Sequence, residues 1–118
     1  MKKSGKHRPE RLAALIKESV AGAVTLVKDP RVGFVTVTGV TVSPDGSHAV
    51  IRVSIMGEQD EKTRALEGLE SARGFLRSHL AKTLTLRTIP ELRFELDRGL
   101  EHAQRINQIL ADLKRDES

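Results

Sequence analysis

Apolar residues recur at Leu12, Leu15, Ile16, Val20, Ala23, Val24 and Val27 with spacings of three and four, which predicts an amphipathic helix over Glu10 to Val27. Pro9 suits its first turn, and Asp29-Pro30 closes it, because the residue before proline avoids helical angles. Gly33 to Val42 then reads as a strand. Val35 and Val37 fall in one phase and Val40 and Val42 in the other, so a bulge is expected near Gly39. Ser43-Pro44-Asp45-Gly46 has the residue order of a tight turn. The returning strand, Ser47 to Met56, places Ala49, Ile51, Val53 and Ile55 on one face, completing a hairpin.

From Glu61 the helical period returns through Ala65, Leu66, Leu69 and Ala72. Gly74 interrupts the face that continues to Phe75, Leu76 and Leu80, so two helical pieces are expected to meet at Ala72-Arg73-Gly74. After Pro90, the alternation of Leu92, Phe94 and Leu96 with polar residues predicts a short third strand, and Leu100 to Leu113 a last amphipathic helix. The order is α-β-β-α-α-β-α. It predicts an α+β sandwich in which helices cover one face of a three-stranded sheet and the other face stays exposed. One domain over 1–118 is expected, with flexible tails at about 1–6 and 114–118.

The 118 residues include three Phe and no Trp, Tyr or Cys, so the core must be aliphatic and thiolate chemistry is excluded. With no apolar run long enough for a membrane span and no signal-peptide pattern, a cytoplasmic protein is expected. The four histidines stand in different elements without ligand spacing, and no glycine-rich phosphate loop occurs. No metal, cofactor or enzymatic activity is therefore expected.

The net charge of +4 is unevenly spread. Met1 to Arg31 carries +5 and Lys62 to Arg98 +3, while Val32 to Glu61 carries −3 and Gly99 to Ser118 −1. Ser71 to Pro90 contains Arg73, Arg77, Lys82 and Arg87 and no carboxylate. Such a bias suits a polyanion-binding face, although a solvated helix surface has the same appearance.

A series of short segments runs along the chain: the basic opening with Arg8 and Arg11, Asp29-Pro30-Arg31, Gly33-Phe34-Val35-Thr36-Val37, Val40 with Ser43 and Asp45, and Ala72-Arg73-Gly74-Phe75-Leu76-Arg77. Leu84, Leu86 and Arg87 follow, then Pro90-Glu91-Leu92-Arg93-Phe94, Asp97, Glu101, Arg105 and Ile106. In this order and spacing they resemble the ribosome-binding factor A proteins of bacteria. The resemblance implies a KH-like fold of the second type, in which an Ala-x-Gly kink replaces the usual GXXG loop. It also implies a non-enzymatic assembly factor that binds immature small ribosomal subunits and aids maturation of the 16S rRNA 5′ end. Support of growth in the cold, and release aided in many bacteria by a partner GTPase, belong to the same implication.

On that basis Lys6, Arg8, Arg11, Arg31, Arg73, Arg77, Lys82 and Arg87 are the expected RNA contacts, with Ala72, Arg73 and Gly74 forming the kink. Lys and Arg position phosphates without reading sequence, and stacking aromatics are nearly absent, so recognition by rRNA shape is expected. Arg31 also stands where it could cap the first helix. Reversing Arg73 and Arg77 to Glu is expected to remove subunit binding and leave thermal stability nearly unchanged. A monomer is expected, and a generic KH-like module for single-stranded RNA is the alternative. The chain departs from the family at Gly99, where many members have a capping Ser, and in its short C-terminal tail.

Overall fold

The computed structural model describes residues 9–98 and 102–116, with side chains in the last helix described from 106 to 115. Helix α1 spans Pro9–Val24, strands β1 Val35–Val42 and β2 His48–Ile55, helices α2 Gln59–Ser71 and α3 Arg73–Thr83, strand β3 Glu91–Leu96 and helix α4 His102–Asp116. This is the α+β order that the hydrophobic pattern predicts. The boundaries differ slightly. Helix α1 stops at Val24, where Leu26 and Val27 donate to Ala23 and Val24 in a tightened last turn. At the other end of the chain, α4 continues past Leu113 to Asp116.

Strand β2 is central. It pairs antiparallel with β1, Val35 opposite Ile55 and Val42 opposite Ala49, and parallel with β3, Ala49 opposite Leu92 and Ile51 opposite Phe94. Parallel neighbours need a long crossover, and α2 with α3 supplies it. The β1–β2 register shifts between Val37 and Gly39, and this bulge puts Val37, Val40 and Val42 all in the core despite their opposite phases in sequence.

Ile16, Val20 and Ala23 of α1, Leu69 of α2, and Leu76 and Leu80 of α3 pack with Ala49, Ile51, Val53 and Leu92 of the sheet, all fully removed from solvent. Burial on this scale is the main stabilising term for such a chain, at roughly 25 cal/mol per Å² of apolar surface. The expectation of one exposed sheet face needs correction. Val50, on the opposite face, is buried with Ile106 and Leu110 of α4, a second small cluster to which Ile109 also packs. The even phase of β2 reads as polar because His48, Arg52 and Ser54 surround Val50, and periodicity alone does not assign α4 to that side.

The bend between α2 and α3 falls at Ala72, whose φ of −89° and ψ of 5° open the helix by one residue. Hydrogen bonds run through it: the Ala72 amide donates to Gly68 and Leu69, and its carbonyl accepts from Leu76. Gly74 has an ordinary negative φ, so the bend does not depend on glycine's left-handed range.

Candidate nucleic-acid interface

Helices α1 and α3 lie antiparallel on the sheet. Ser19 and Thr83 share a hydrogen bond of 2.7 Å, while the segment after α1 borders the bend, where Leu26, Val27, Ser71, Ala72 and Phe75 line an apolar groove of about 380 Å³. Of the cations expected from sequence, Arg31 and Arg73 lie at the bend and Arg11, Lys82 and Arg87 toward the opposite end of this helical surface, whereas Arg77 turns toward β3.

At the bend, the Asp29-Pro30-Arg31 corner has a local cause. Pro30 lacks an amide hydrogen, so the first available donor is the Arg31 amide, which bonds Asp29 Oδ1 at 2.9 Å in an Asx-type turn. The Arg31 guanidinium closes on the same carboxylate, Nη2 to Oδ2 at 2.7 Å, and reaches Ser71 Oγ at 3.1 Å. Side-chain and backbone hydrogen bonds from Arg31 hold the Asp29 carboxyl down to about 2. The Arg31 guanidinium is correspondingly raised. Its bonds go to Asp29 and Ser71 and not to the carbonyls of α1, so it ties the loop to the end of α2 instead of capping a helix.

Arg73 forms an ion pair with Glu70, and its buried Nε has no hydrogen-bond partner among the described residues. Arg77 points toward β3. Its Nε donates to Pro90 O at 3.1 Å and its Nη2 to Ile89 O at 2.8 Å, with Nη1 3.6 Å from the Glu91 carboxylate. The carboxylate-free segment of the sequence is thus bordered by Glu70 and Glu91, and each pairs with an arginine from inside it. With these contacts Arg77 is part of the framework, so its reversal to Glu is expected to destabilise the fold, contrary to the expectation of unchanged thermal stability.

Lys82, in the last turn of α3, and Arg87, in the loop beyond it, are exposed and have no ion pair or hydrogen bond among the described residues. Arg11 is likewise exposed and unpaired, on the first part of α1, toward the end of the surface that Thr83 occupies. Lys6 and Arg8 lie outside the described residues, as does Gly99. The kink is present as expected, with Gly74 exposed and open: a Cβ there would meet nothing within 4 Å.

Asp29 and Ser71, the partners that occupy Arg31, are not among the residues expected from sequence, although the Asp-Pro-Arg spacing carries a signal for the first. Nor does the sequence show that two of the three phenylalanines face solvent, Phe34 at 85% and Phe75 at 45%. Among the described residues, no group of three or more His, Asp or Glu could hold a metal ion, and no helix is long and apolar enough to cross a membrane.

A family model described as ribosome-binding factor A matches residues 8–110. A relative of that name from Thermomicrobium roseum is 44% identical, over 95% of this chain and 91% of its own length. One from Rhodopirellula baltica is 48% identical, over 88% and 77% respectively. The crystal structure of ribosome-binding factor A from Thermus thermophilus superposes with a TM-score of 0.68 at 30% identity, covering 76% of this chain and 97% of that one. A Thermus thermophilus homology model of ribosome binding factor A, fitted into a cryo-EM map of a 30S complex, superposes with a TM-score of 0.63 at 31% identity, covering 74% and 92%.

Proposed function

The chain belongs to the ribosome-binding factor A family, and from that premise we propose that it binds the immature small ribosomal subunit through the α1–α3 surface and acts there without catalysis. The relative seen in a 30S complex supports the choice of subunit. The observation that carries the surface is the state of its cations: Glu70 and Glu91 are occupied by Arg73 and Arg77, while Arg11, Lys82 and Arg87 are exposed without a carboxylate partner among the described residues.

Guanidinium and ammonium groups at the two ends of α3 would set the protein's position on rRNA by phosphate contact. Arg31 and Arg73 flank the bend at one end, and Arg11, Lys82 and Arg87 serve the other; Lys6 and Arg8, outside the described residues, complete the proposed set of phosphate contacts. Gly74 leaves the bend open to a close-lying backbone. The action is a population shift. A protein that binds one rRNA arrangement more tightly than another favours it by that difference, and no bond needs to be made or broken. In this reading the protein works as a cytoplasmic monomer, aids 5′-end maturation of 16S rRNA, supports growth in the cold, and leaves with the help of a GTPase.

Sedimentation with purified small subunits, large subunits and assembled ribosomes tests the proposal. The protein should pellet with small subunits from assembling cells, and retention should fall steeply with salt as counterions are released. A Lys82→Glu/Arg87→Glu double variant should stay in the supernatant with its thermal midpoint unchanged. Equal retention of that variant and the wild type would remove this surface.

A further inference from the structure

At the end of the hairpin away from its turn, Val35 and Ile55 are the last paired residues, so the next positions, Phe34 and Met56, stand across from each other. They are the most exposed large apolar side chains among the described residues, at 85% and 77%. Both line a depression of about 230 Å³ whose rim also includes Pro30, Arg31, Glu61 and Arg64. The charges of this rim are unequal in availability. Arg31 is offset by Asp29, and Glu61 accepts a hydrogen bond from the Glu58 amide at 2.9 Å in the first turn of α2. Arg64 is exposed and has no partner among the described residues.

We propose that this depression receives one unpaired nucleotide of the rRNA, its base stacked on the Phe34 ring against Met56 and its phosphate held by Arg64. The inference rests on the ribosomal reading above and names a contact by which part of that RNA would be held. An exposed planar ring suits a nucleobase because every base presents a π-face, and the adjacent guanidinium suits the phosphate. A docked protein helix fits less well. It would bring apolar anchors spaced along several turns, whereas Phe34 and Met56 form one short apolar step inside a mostly polar rim. Stacking here also amends the expectation of recognition by shape alone, since one of the few aromatics is placed for it.

The absence of Trp and Tyr makes a direct test available, because Phe34→Trp would be the chain's only indole. Phe34→Trp, Phe34→Leu, Phe34→Ala and Arg64→Gln are compared with wild type in small-subunit binding, after circular dichroism has verified folding. The proposal expects Ala and Leu each to weaken binding about tenfold. It expects Arg64→Gln to weaken binding and reduce its salt dependence, and Trp to retain binding with its emission quenched. A Trp at Gln108, exposed on α4, should not be quenched. Wild-type binding by the Ala variant would overturn the proposal. So would full rescue by Leu together with a blue shift of Trp emission on adding rRNA-free subunit proteins, which would make the occupant a protein. If wild-type protein fails to pellet with subunits, the ribosomal reading falls. Titration of Phe34→Trp with a mixed-sequence single-stranded oligoribonucleotide then decides the nucleotide site separately: quenching sustains it and unchanged emission overturns it.

Discussion

The guanidinium of Arg77 donates from Nε to the carbonyl oxygen of Pro90 at 3.1 Å, fastening α3 to the loop that enters β3. A second donation, to Ile89 O at 2.8 Å, uses the fork geometry that only arginine offers. Arg77→Ala is expected to lower unfolding free energy by about 1.5–3 kcal/mol, the range for hydrogen bonds to charged groups. Arg77→Lys should recover less than half of that. Urea denaturation midpoints at neutral pH check both.

Two glycines near the bend should respond in opposite directions to alanine. A Cβ at Gly68 would lie 2.7 Å from Val32 Cγ2 and 3.2 Å from Arg31 Cβ, atoms close to the backbone and not at the far end of a flexible side chain, so the neighbours must shift to admit it. Gly68→Ala should cost about 1–3 kcal/mol through overpacking. Gly74→Ala meets nothing and should be neutral or stabilising by about 0.5–1 kcal/mol, as expected for a helical glycine. If Gly74→Ala nevertheless weakens small-subunit binding, the glycine serves close approach by a partner and not the bend itself.

Acid should act through two aspartates. Asp29 is held at about 2 by Arg31, and Asp45 is lowered by hydrogen bonds from Ser47 and Ser43. Both bind protons less readily in the native state than in the unfolded chain. Their stabilisation is therefore complete above the ordinary aspartate value of 3.8 and is lost as pH falls through the native value, about 2 for Asp29. Asp29→Asn and Asp45→Asn should each flatten the decline of the thermal midpoint over that interval. A decline as steep as the wild type's in both variants would remove the assignment.

The two apolar clusters should differ in what they contribute. Leu76, fully buried against the sheet, should cost about 2–5 kcal/mol when replaced by Ala. Leu110 is slightly exposed in a cluster of few residues and should cost about 1–2 kcal/mol, because solvent or a neighbour can fill part of the space. Guanidinium denaturation of the two variants side by side decides this, and an equal loss would mean that α4 is as firmly integrated as α3.

Elements are legible where periodicity and punctuation agree. Leu12 to Val24 marks α1, the reversal of phase around Gly39 marks the bulge, and Gly74 marks the bend, although Ala72 is where it occurs. The sheet's second covering is not legible, because one apolar residue, Val50, carries it on the β2 side. The basic surface is legible as a composition. Its division is not: Glu70 and Glu91 sit just outside the carboxylate-free segment, and which arginines they occupy depends on helical spacing in one case and tertiary approach in the other. Phe34 and Met56 read as strand residues and become an exposed pair because strand pairing ends one position earlier.

The mixed pairing of β2 has a kinetic consequence. Its antiparallel partner is reached through the short turn at Ser43 to Gly46, whereas its parallel partner lies beyond both crossover helices. Loop-closure entropy therefore favours hairpin formation first and delays the docking of β3. The β1–β2 hairpin can pair while residues 91–96 are still undocked, with the crossover helices serving as the tether that brings the last strand into register.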